Sequence, residues 1–249
     1  MTTVKLKGVV LRRVNVGDND VILTVLSDTL GIISVSAKGV KSLRHKSLAG
    51  TALFALSDFV VRTGSRMYSL VSAELTESFY NLATNIERLA YATYIADITS
   101  FSLREGDAPP ELLPLALNTF YLLANSQNDL RPLKCVFELK LLYYLGEAPE
   151  MNGCIHCGAN AGLDFFTNEG GLLCNDCRGK SLHSVKISDD CARAMRYILH
   201  SEDKRSFFFK ISDRTLCELE DITEGYFAWQ ADRSFYSLDY LHNILGKRK

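Results

Sequence analysis

The sequence predicts a multidomain α+β protein, with a small antiparallel β-barrel or sandwich at the N-terminus and a mainly helical remainder that carries a four-cysteine module. Short strand-like segments crowd residues 4–77, helical spacing dominates from residue 78 onward, and two Cys-x-x-Cys pairs interrupt the helical part. At 249 residues and 47% hydrophobic composition, the chain can form two or three modules that each bury a core.

The N-terminal segments predict five strands. Each is short, rich in Val, Ile, Leu or Ser, and bounded by Gly- or Asp-containing turn signals, with no room for a long helix between neighbours. In the third segment Ile33, Val35 and Ala37 alternate with polar residues, so we expect these three side chains to face the core. The predicted strands cover residues 4–14, 20–27, 31–38, 52–63 and 67–75.

The remainder shows helical periodicity. Ile86, Leu89, Ala90 and Thr93 follow the i, i+3, i+4, i+7 pattern, and breaks near residues 106–110 and 125–129 separate three predicted helices before Glu147. Further helices are predicted at 189–199, 213–229 and 237–245. The domain limits expected from this pattern are 1–79 for the barrel, 80–150 for the first helical part, 151–180 for the cysteine module and 181–249 for the C-terminal helical part.

The cysteine module has the spacing of a structural zinc site. Two Cys-x-x-Cys pairs, Cys154 with Cys157 and Cys174 with Cys177, are separated by sixteen residues. Four thiolates complete a tetrahedral shell and leave no position for water or substrate, so the predicted Zn²⁺ is structural and not catalytic. A redox pair of the thioredoxin type or a zinc deaminase fits less well, because the surrounding motifs of both are missing.

The sequence also favours a cytoplasmic protein. The N-terminus has no uninterrupted apolar segment of the signal-peptide kind, and no window approaches the ~18 apolar residues needed to cross a bilayer. Seven cysteines are an odd number, and Cys135, Cys191 and Cys217 stand singly where buried reduced thiols are expected.

The charge distribution points to a nucleic-acid partner. The formal net charge is only −1, but residues 1–80 carry ten Lys and Arg against six Asp and Glu, a local net of +4. A basic loop after the third strand, with Lys38, Lys41, Arg44 and Lys46, suits a phosphate backbone, and Arg12 and Arg13 on the first strand extend the predicted patch over one barrel face. A merely solvated lysine-rich surface is the open alternative.

No catalytic signature is present. Gly179-Lys180-Ser181 resembles the end of a phosphate-binding loop, but Cys174 stands where that motif requires glycine. Neither a nucleophile elbow nor a His-Glu-x-x-His metal motif occurs, and the five histidines are scattered. The sequence therefore predicts a protein that is not an enzyme.

Three stretches resemble the RecO family of bacterial recombination mediators. They are GVVLRRVNVGDNDVILTVLSDTLGIISVSAKGVKSLRHKS, FELKLLYYLGEAPEMNGCIHCG and RSFYSLDYLHNIL, which together span nearly the whole chain in the family's order. The resemblance implies an N-terminal OB-fold and a helical domain with an inserted zinc module. One departure is Asn15-Val16, where the family often has an aromatic residue before the Gly-acid turn.

The family's activity defines the functional expectation. Members bind single- and double-stranded DNA, anneal complementary strands, and work with RecR to load RecA onto strands coated by single-strand-binding protein, whose acidic C-terminal tail they contact. Lys38, Lys41 and Arg44 match the family's basic positions, and the four paired cysteines match its zinc ligands. Arg131 and Lys134 are candidates for tail binding. The alternative function is that of a zinc-ribbon interaction subunit of a transcription or replication assembly that does not bind DNA directly.

Overall fold

The computed structural model describes residues 2–64, 66–106 and 108–246. Met1, Ser65, Asp107 and residues 247–249, which the predicted domain limits include, lie outside the described residues. The described chain forms two compact units: one is built from the chain up to Ser126 together with the segment from Phe235 onward, and the other is Gln127–Ser234.

The N-terminal half of the first unit is a closed five-stranded barrel. Its strands follow the order β1-β2-β3-β5-β4, with β4 pairing back onto β1. All pairings are antiparallel except β3 with β5, which is parallel. This is the strand arrangement of an OB-fold and confirms the predicted class. The strands are β1 Thr3–Val16, β2 Asp20–Ser27, β3 Gly31–Ala37, β4 Ala55–Arg62 and β5 Tyr68–Ser78.

The barrel interior is filled by apolar side chains from every strand. Ile33, Val35 and Ala37 of β3 are buried in it, which confirms the predicted alternation, whereas Ser34 between them is exposed. The cluster also contains Leu6, Val10, Val21, Leu23, Val25, Val40, Phe59, Val61 and Ala73. Removing this apolar surface from water is the main stabilising contribution to the barrel.

Three helices complete the first unit: α1 Ile86–Ser102, α2 Leu112–Asn125 and α7 Tyr236–Ile244. Phe120 of α2 packs against Phe54 at the barrel with ring centroids 5.1 Å apart. Phe235, which precedes α7, lies edge-on to Phe101 of α1 at 5.4 Å. These long-range contacts place α1, α2 and α7 with the barrel. The compact unit that contains the barrel therefore extends beyond residue 79.

The second unit contains the other helices and a small sheet. Its elements are α3 Arg131–Tyr144, α4 Asp189–His200, α5 Asp203–Ser206 and α6 Asp213–Gln230, with β6 Phe165–Thr167, β7 Gly171–Leu173 and β8 Ser184–Lys186 in the order β7-β6-β8. The short α5 and this sheet were not predicted. Ser188 and Ser212 cap α4 and α6, because each hydroxyl accepts an N–H three residues on.

Two of the three single cysteines are buried, as predicted, but Cys217 is exposed. It lies on α6 beside the buried Leu216 and two positions before the buried Leu219, and the helical repeat turns its side chain outward. None of the helices in the described part of the chain is long and apolar enough to cross a membrane.

Candidate metal centre and nucleic-acid interface

The four paired cysteines converge on one point. All four sulfur atoms lie within 4.8 Å of one another. The Sγ atoms of Cys157 and Cys174, one from each pair, are 3.6 Å apart. Four ligands at about 2.3 Å from a zinc ion at the centre of a tetrahedron stand roughly 3.8 Å apart, so the cluster fits that geometry. The predicted ligand set is therefore brought together by the fold.

Two tight turns and a backbone ladder build this cluster. Gly158 donates its N–H to the Cys154 carbonyl at 2.8 Å and has φ +73°, a conformation that an L side chain rarely adopts. At Gly171 a Cβ would lie 2.2 Å from the Glu150 carbonyl oxygen, so only glycine fits there. Ile155 donates to the Leu172 carbonyl at 3.0 Å, which ties the first cysteine pair to β7 beside the second pair.

The surroundings of Cys154 favour its thiolate. Desolvation raises the pKa of this group, but the backbone N–H groups of Cys174, Cys157 and His156 point at its sulfur and outweigh burial, lowering the pKa to about 6. Metals bind thiolates and not thiols, so these donors pre-arrange one ligand in its binding form.

The cysteine site is largely shielded from solvent. Cys154, Cys174 and Cys177 are buried among Leu173 and neighbouring apolar side chains, and only Cys157 is exposed. Four sulfur donors with no carboxylate among them match a structural site, and a divalent ion held there would cross-link residues twenty-three positions apart in the chain. The arrangement is consistent with a metal that supports local folding.

The basic residues after β3 lie beside the turn between β1 and β2. Lys41 donates its backbone N–H to the Asn19 carbonyl at 3.1 Å, and Gly39 donates to the Asp20 carboxylate at 2.8 Å. At its other end the buried Ser47 accepts the Ala73 N–H of β5 at 3.0 Å. The loop of residues 38–47, called the basic loop below, is thus fixed to the barrel at both ends.

The four predicted cations of the basic loop differ in exposure but not in pairing. Lys38, Arg44 and Lys46 are exposed, and Lys41 is half-buried. Among the described residues none of these four forms an ion pair with a carboxylate. Their charge is therefore presented to solvent on one side of the barrel.

Arg12 and Arg13 do not share a barrel face. They are consecutive residues of β1, so their side chains point to opposite sides of the sheet. Arg12 pairs with Thr24, which in turn pairs with the exposed Ser34, and it is exposed on the outer face. Arg13 pairs with the core residue Leu23, and its Nε is buried with no hydrogen-bond partner among the described residues. Of the two, only Arg12 lies exposed on the outer face of the barrel.

Sequence reasoning missed two further cations at the connection between β4 and β5. Arg62 and Arg66 flank the Gly64 turn and are both exposed. In OB-folds this connection and the β1–β2 turn border the face that binds oligonucleotides. The strand order, once predicted, would have singled out these two residues.

Arg131 and Lys134 lie within carboxylate clusters. Arg131 meets Asp129 and Asp213 at 2.6 Å each, and these partners raise its pKa above the usual value. Lys134 is only 2% exposed, and its ammonium lies 2.8 Å from Glu224 and 3.2 Å from Glu138. The placement therefore gives no support to the predicted tail-binding role, because both charges are already compensated inside the unit.

The fold and the site define a class of protein: an OB-type barrel followed by a helical part that carries a four-cysteine cluster able to hold a metal ion. Family models described as Recombination protein O N terminal and Recombination protein O C terminal match residues 1–79 and 83–239. The chain therefore belongs to the RecO family of DNA repair proteins.

Individual relatives agree over almost the full length. The DNA repair protein RecO of Acetivibrio thermocellus is 35% identical over 248 residues, covering 98% of each chain. That of Alkaliphilus metalliredigens is 30% identical over 244 residues, with 97% of this chain and 99% of the relative covered. That of Clostridium acetobutylicum is 28% identical over 247 residues, with 98% and 99% covered.

Proposed function

We propose that this protein binds single- and double-stranded DNA on its OB barrel and anneals complementary strands. The observation that carries the proposal is the basic loop: four cations without carboxylate partners among the described residues, fixed beside the β1–β2 turn. In OB-folds that turn and the outer face of strands 2 and 3 are the oligonucleotide-binding surface. Arg12, Arg62 and Arg66 border the same surface.

Annealing needs no catalytic residue under this proposal. Cations that neutralise phosphates on two strands lower their mutual repulsion and raise their rate of encounter. The protein then acts as a recombination mediator and not as an enzyme. It works in the bacterial cytoplasm at the nucleoid, where with RecR it helps to load RecA onto strands coated by single-strand-binding protein.

The C-terminal tail of single-strand-binding protein, an acidic peptide, requires a cleft with apolar walls and a cation. A cleft of about 480 Å³ in the second unit has this character: Tyr197 and Phe209 supply apolar wall, and the exposed Lys210 supplies charge. Arg193 also lines it, next to its ion-pair partner Asp190. We place the tail here in preference to Arg131 and Lys134, whose charges are compensated.

Zn²⁺ is the proposed occupant of the cysteine site. Its role is to hold the fold of the residue 151–180 module, since closed four-thiolate sites contribute directly to folding. The DNA-binding surface on the barrel contains none of the four ligands.

An annealing assay tests the proposed function. Two complementary labelled oligonucleotides are mixed with the full chain, and duplex formation is followed over time with and without a coat of single-strand-binding protein. We expect faster annealing with wild type, and rates near the protein-free level with a Lys38→Ala, Lys41→Ala, Arg44→Ala variant. A folded, zinc-loaded wild type that neither binds nor anneals naked DNA would favour the interaction-subunit alternative instead.

A further inference from the structure

Leu43 lies within the basic loop. It is the most exposed of the large hydrophobic side chains in the described chain, at 92%. Single exposed apolar side chains are common on protein surfaces, so exposure alone assigns no role. The position of Leu43 sets it apart, because it stands between Lys41 and Arg44 in a stretch of nine residues, 38–46, that carries four cations and no carboxylate.

The backbone presents this side chain in a defined way. His45 donates its N–H to the Ser42 carbonyl at 2.9 Å, which closes a β-turn with Leu43 and Arg44 as the two central residues. Both ends of the basic loop are fixed to the barrel, as described above. Leu43 is therefore the apolar tip of an anchored turn whose neighbouring side chains carry positive charge.

The charge around Leu43 indicates which kind of partner this side chain contacts. A strongly cationic rim disfavours a purely apolar partner surface and favours a polyanion, and the apolar groups that DNA offers next to its phosphates are the faces of its bases. DNA-binding proteins that kink or open a duplex use such an arrangement, with an apolar side chain inserted between adjacent bases while cations hold the flanking phosphates.

We propose that Leu43 inserts between neighbouring bases of DNA whose phosphates are held by Lys41, Arg44 and Lys46, and so unstacks that step. This inference rests on the proposed DNA binding. It adds a mechanical role, since bases that have lost a stacking neighbour are exposed for pairing with a second strand. No base sequence is selected, because insertion of a leucine reads no hydrogen-bonding edge.

The insertion has a distinctive energetic signature. Burial of the leucine side chain offsets the cost of unstacking the step, so we expect removal of the side chain to change affinity by no more than about threefold. Base stacking in the complex, in contrast, should change strongly. If Leu43 only adhered to the DNA surface, its removal would instead lower the affinity strongly and leave base stacking unchanged.

The test uses a duplex that carries 2-aminopurine at alternate steps, because this base fluoresces more strongly when it is unstacked. Fluorescence and anisotropy are measured on the same samples at saturating concentrations of full-length wild type, Leu43→Ala and Leu43→Met. Leu182→Ala is the matched control, since Leu182 is 86% exposed and also follows a Lys-Ser pair, but lies in the second unit.

We expect wild type, Leu43→Met and Leu182→Ala to raise the fluorescence, and Leu43→Ala to bind within about threefold of wild type without that rise. Equal fluorescence with Leu43→Ala and wild type would overturn the insertion while leaving DNA binding intact, and would assign the exposed leucine to a protein contact. An equal loss of the fluorescence rise in Leu43→Ala and Leu182→Ala would also overturn the insertion. Absence of any binding by wild type would instead remove the proposed function itself.

Discussion

Simultaneous replacement of Lys38, Lys41 and Arg44 by alanine should weaken DNA binding and flatten its dependence on salt. These side chains and Lys46 form no carboxylate ion pair among the described residues, so their charge is available to phosphates. Each neutralised phosphate releases condensed counterions, and this release sets the slope of log affinity against log salt. All DNA sequences should be affected alike, because phosphate contacts carry no sequence information.

The number of cations in the basic loop sets the expected size of the salt effect. If the four loop cations each contact one phosphate, the slope is roughly −2.8 on single strands and about −3.6 on duplex. A fourfold rise in salt then lowers single-strand affinity by about 50-fold. With only Lys46 left in the loop, the contribution of the loop to the slope falls to about −0.7, which lowers affinity by about threefold for the same rise in salt.

Fluorescence anisotropy of a labelled poly-dT oligonucleotide, titrated at several salt concentrations, measures both slopes. The control is a variant with Lys186, Lys204 and Arg214 replaced by alanine, three exposed cations of the second unit whose loss changes the net charge equally. The control should keep the wild-type slope. An unchanged slope in the loop variant, or an equal reduction in the control, would refute the assignment of the site to the basic loop.

Three further predictions concern the second unit. Replacing Cys154 and Cys157 by serine should abolish the binding of one zinc ion per chain and make residues 151–180 sensitive to protease, because structural zinc sites contribute on the order of 10 kcal/mol to local folding. A metal-free variant that resists protease as well as wild type does would contradict this. Lys134→Met should destabilise the fold to urea by about 3–5 kcal/mol, since Glu138 would remain buried, whereas the Lys134→Met, Glu138→Leu double variant should recover most of that loss; equal stability of the two variants would show that the unpaired Glu138 carboxylate is not the cause of the loss. Lys210→Glu should weaken the binding of an acidic C-terminal peptide of single-strand-binding protein. Lys204→Glu, an equal charge change outside the cleft, should leave that binding unchanged. Equal effects of the two substitutions would show that the tail does not bind in this cleft.

The spacing of apolar residues within short segments was sufficient to predict most of the secondary structure. Period-two alternation located the buried side of β3, and helical spacing after Ser188 predicted helices at 189–199 and 213–229, close to the observed α4 Asp189–His200 and α6 Asp213–Gln230. The cysteine spacing was equally informative, because two residues between thiols force both sulfurs towards one ion. Each of these signals lies within a short window of the chain.

What sequence reasoning did not obtain depends on contacts between distant residues. The grouping of α1, α2 and α7 with the barrel rests on ring contacts such as Phe54 with Phe120, sixty-six positions apart, which no local pattern encodes. The register of β1 shifts between Val10 and Arg12, so the faces taken by Arg12 and Arg13 follow from pairing with β2 and not from composition.

The contrast between the buried lysines of α3 and the cations of the basic loop shows which property identifies a binding charge. Lys134 and Lys140 lie on one helix and are each only 2% exposed; Lys134 is held by Glu138 and Glu224, and Lys140 by Asp203 and the Ser201 carbonyl. A buried ammonium must have such partners, because an unpaired charge in a low-dielectric interior is prohibitively costly. Its charge is therefore used within the fold and cannot add to the attraction of a polyanion. A lysine in the basic loop forms no ion pair with a carboxylate among the described residues, so it can neutralise a phosphate, and the release of the cations condensed on the DNA then favours binding. It follows that the number of cations in a segment says little about nucleic-acid binding until the carboxylates around each one are known.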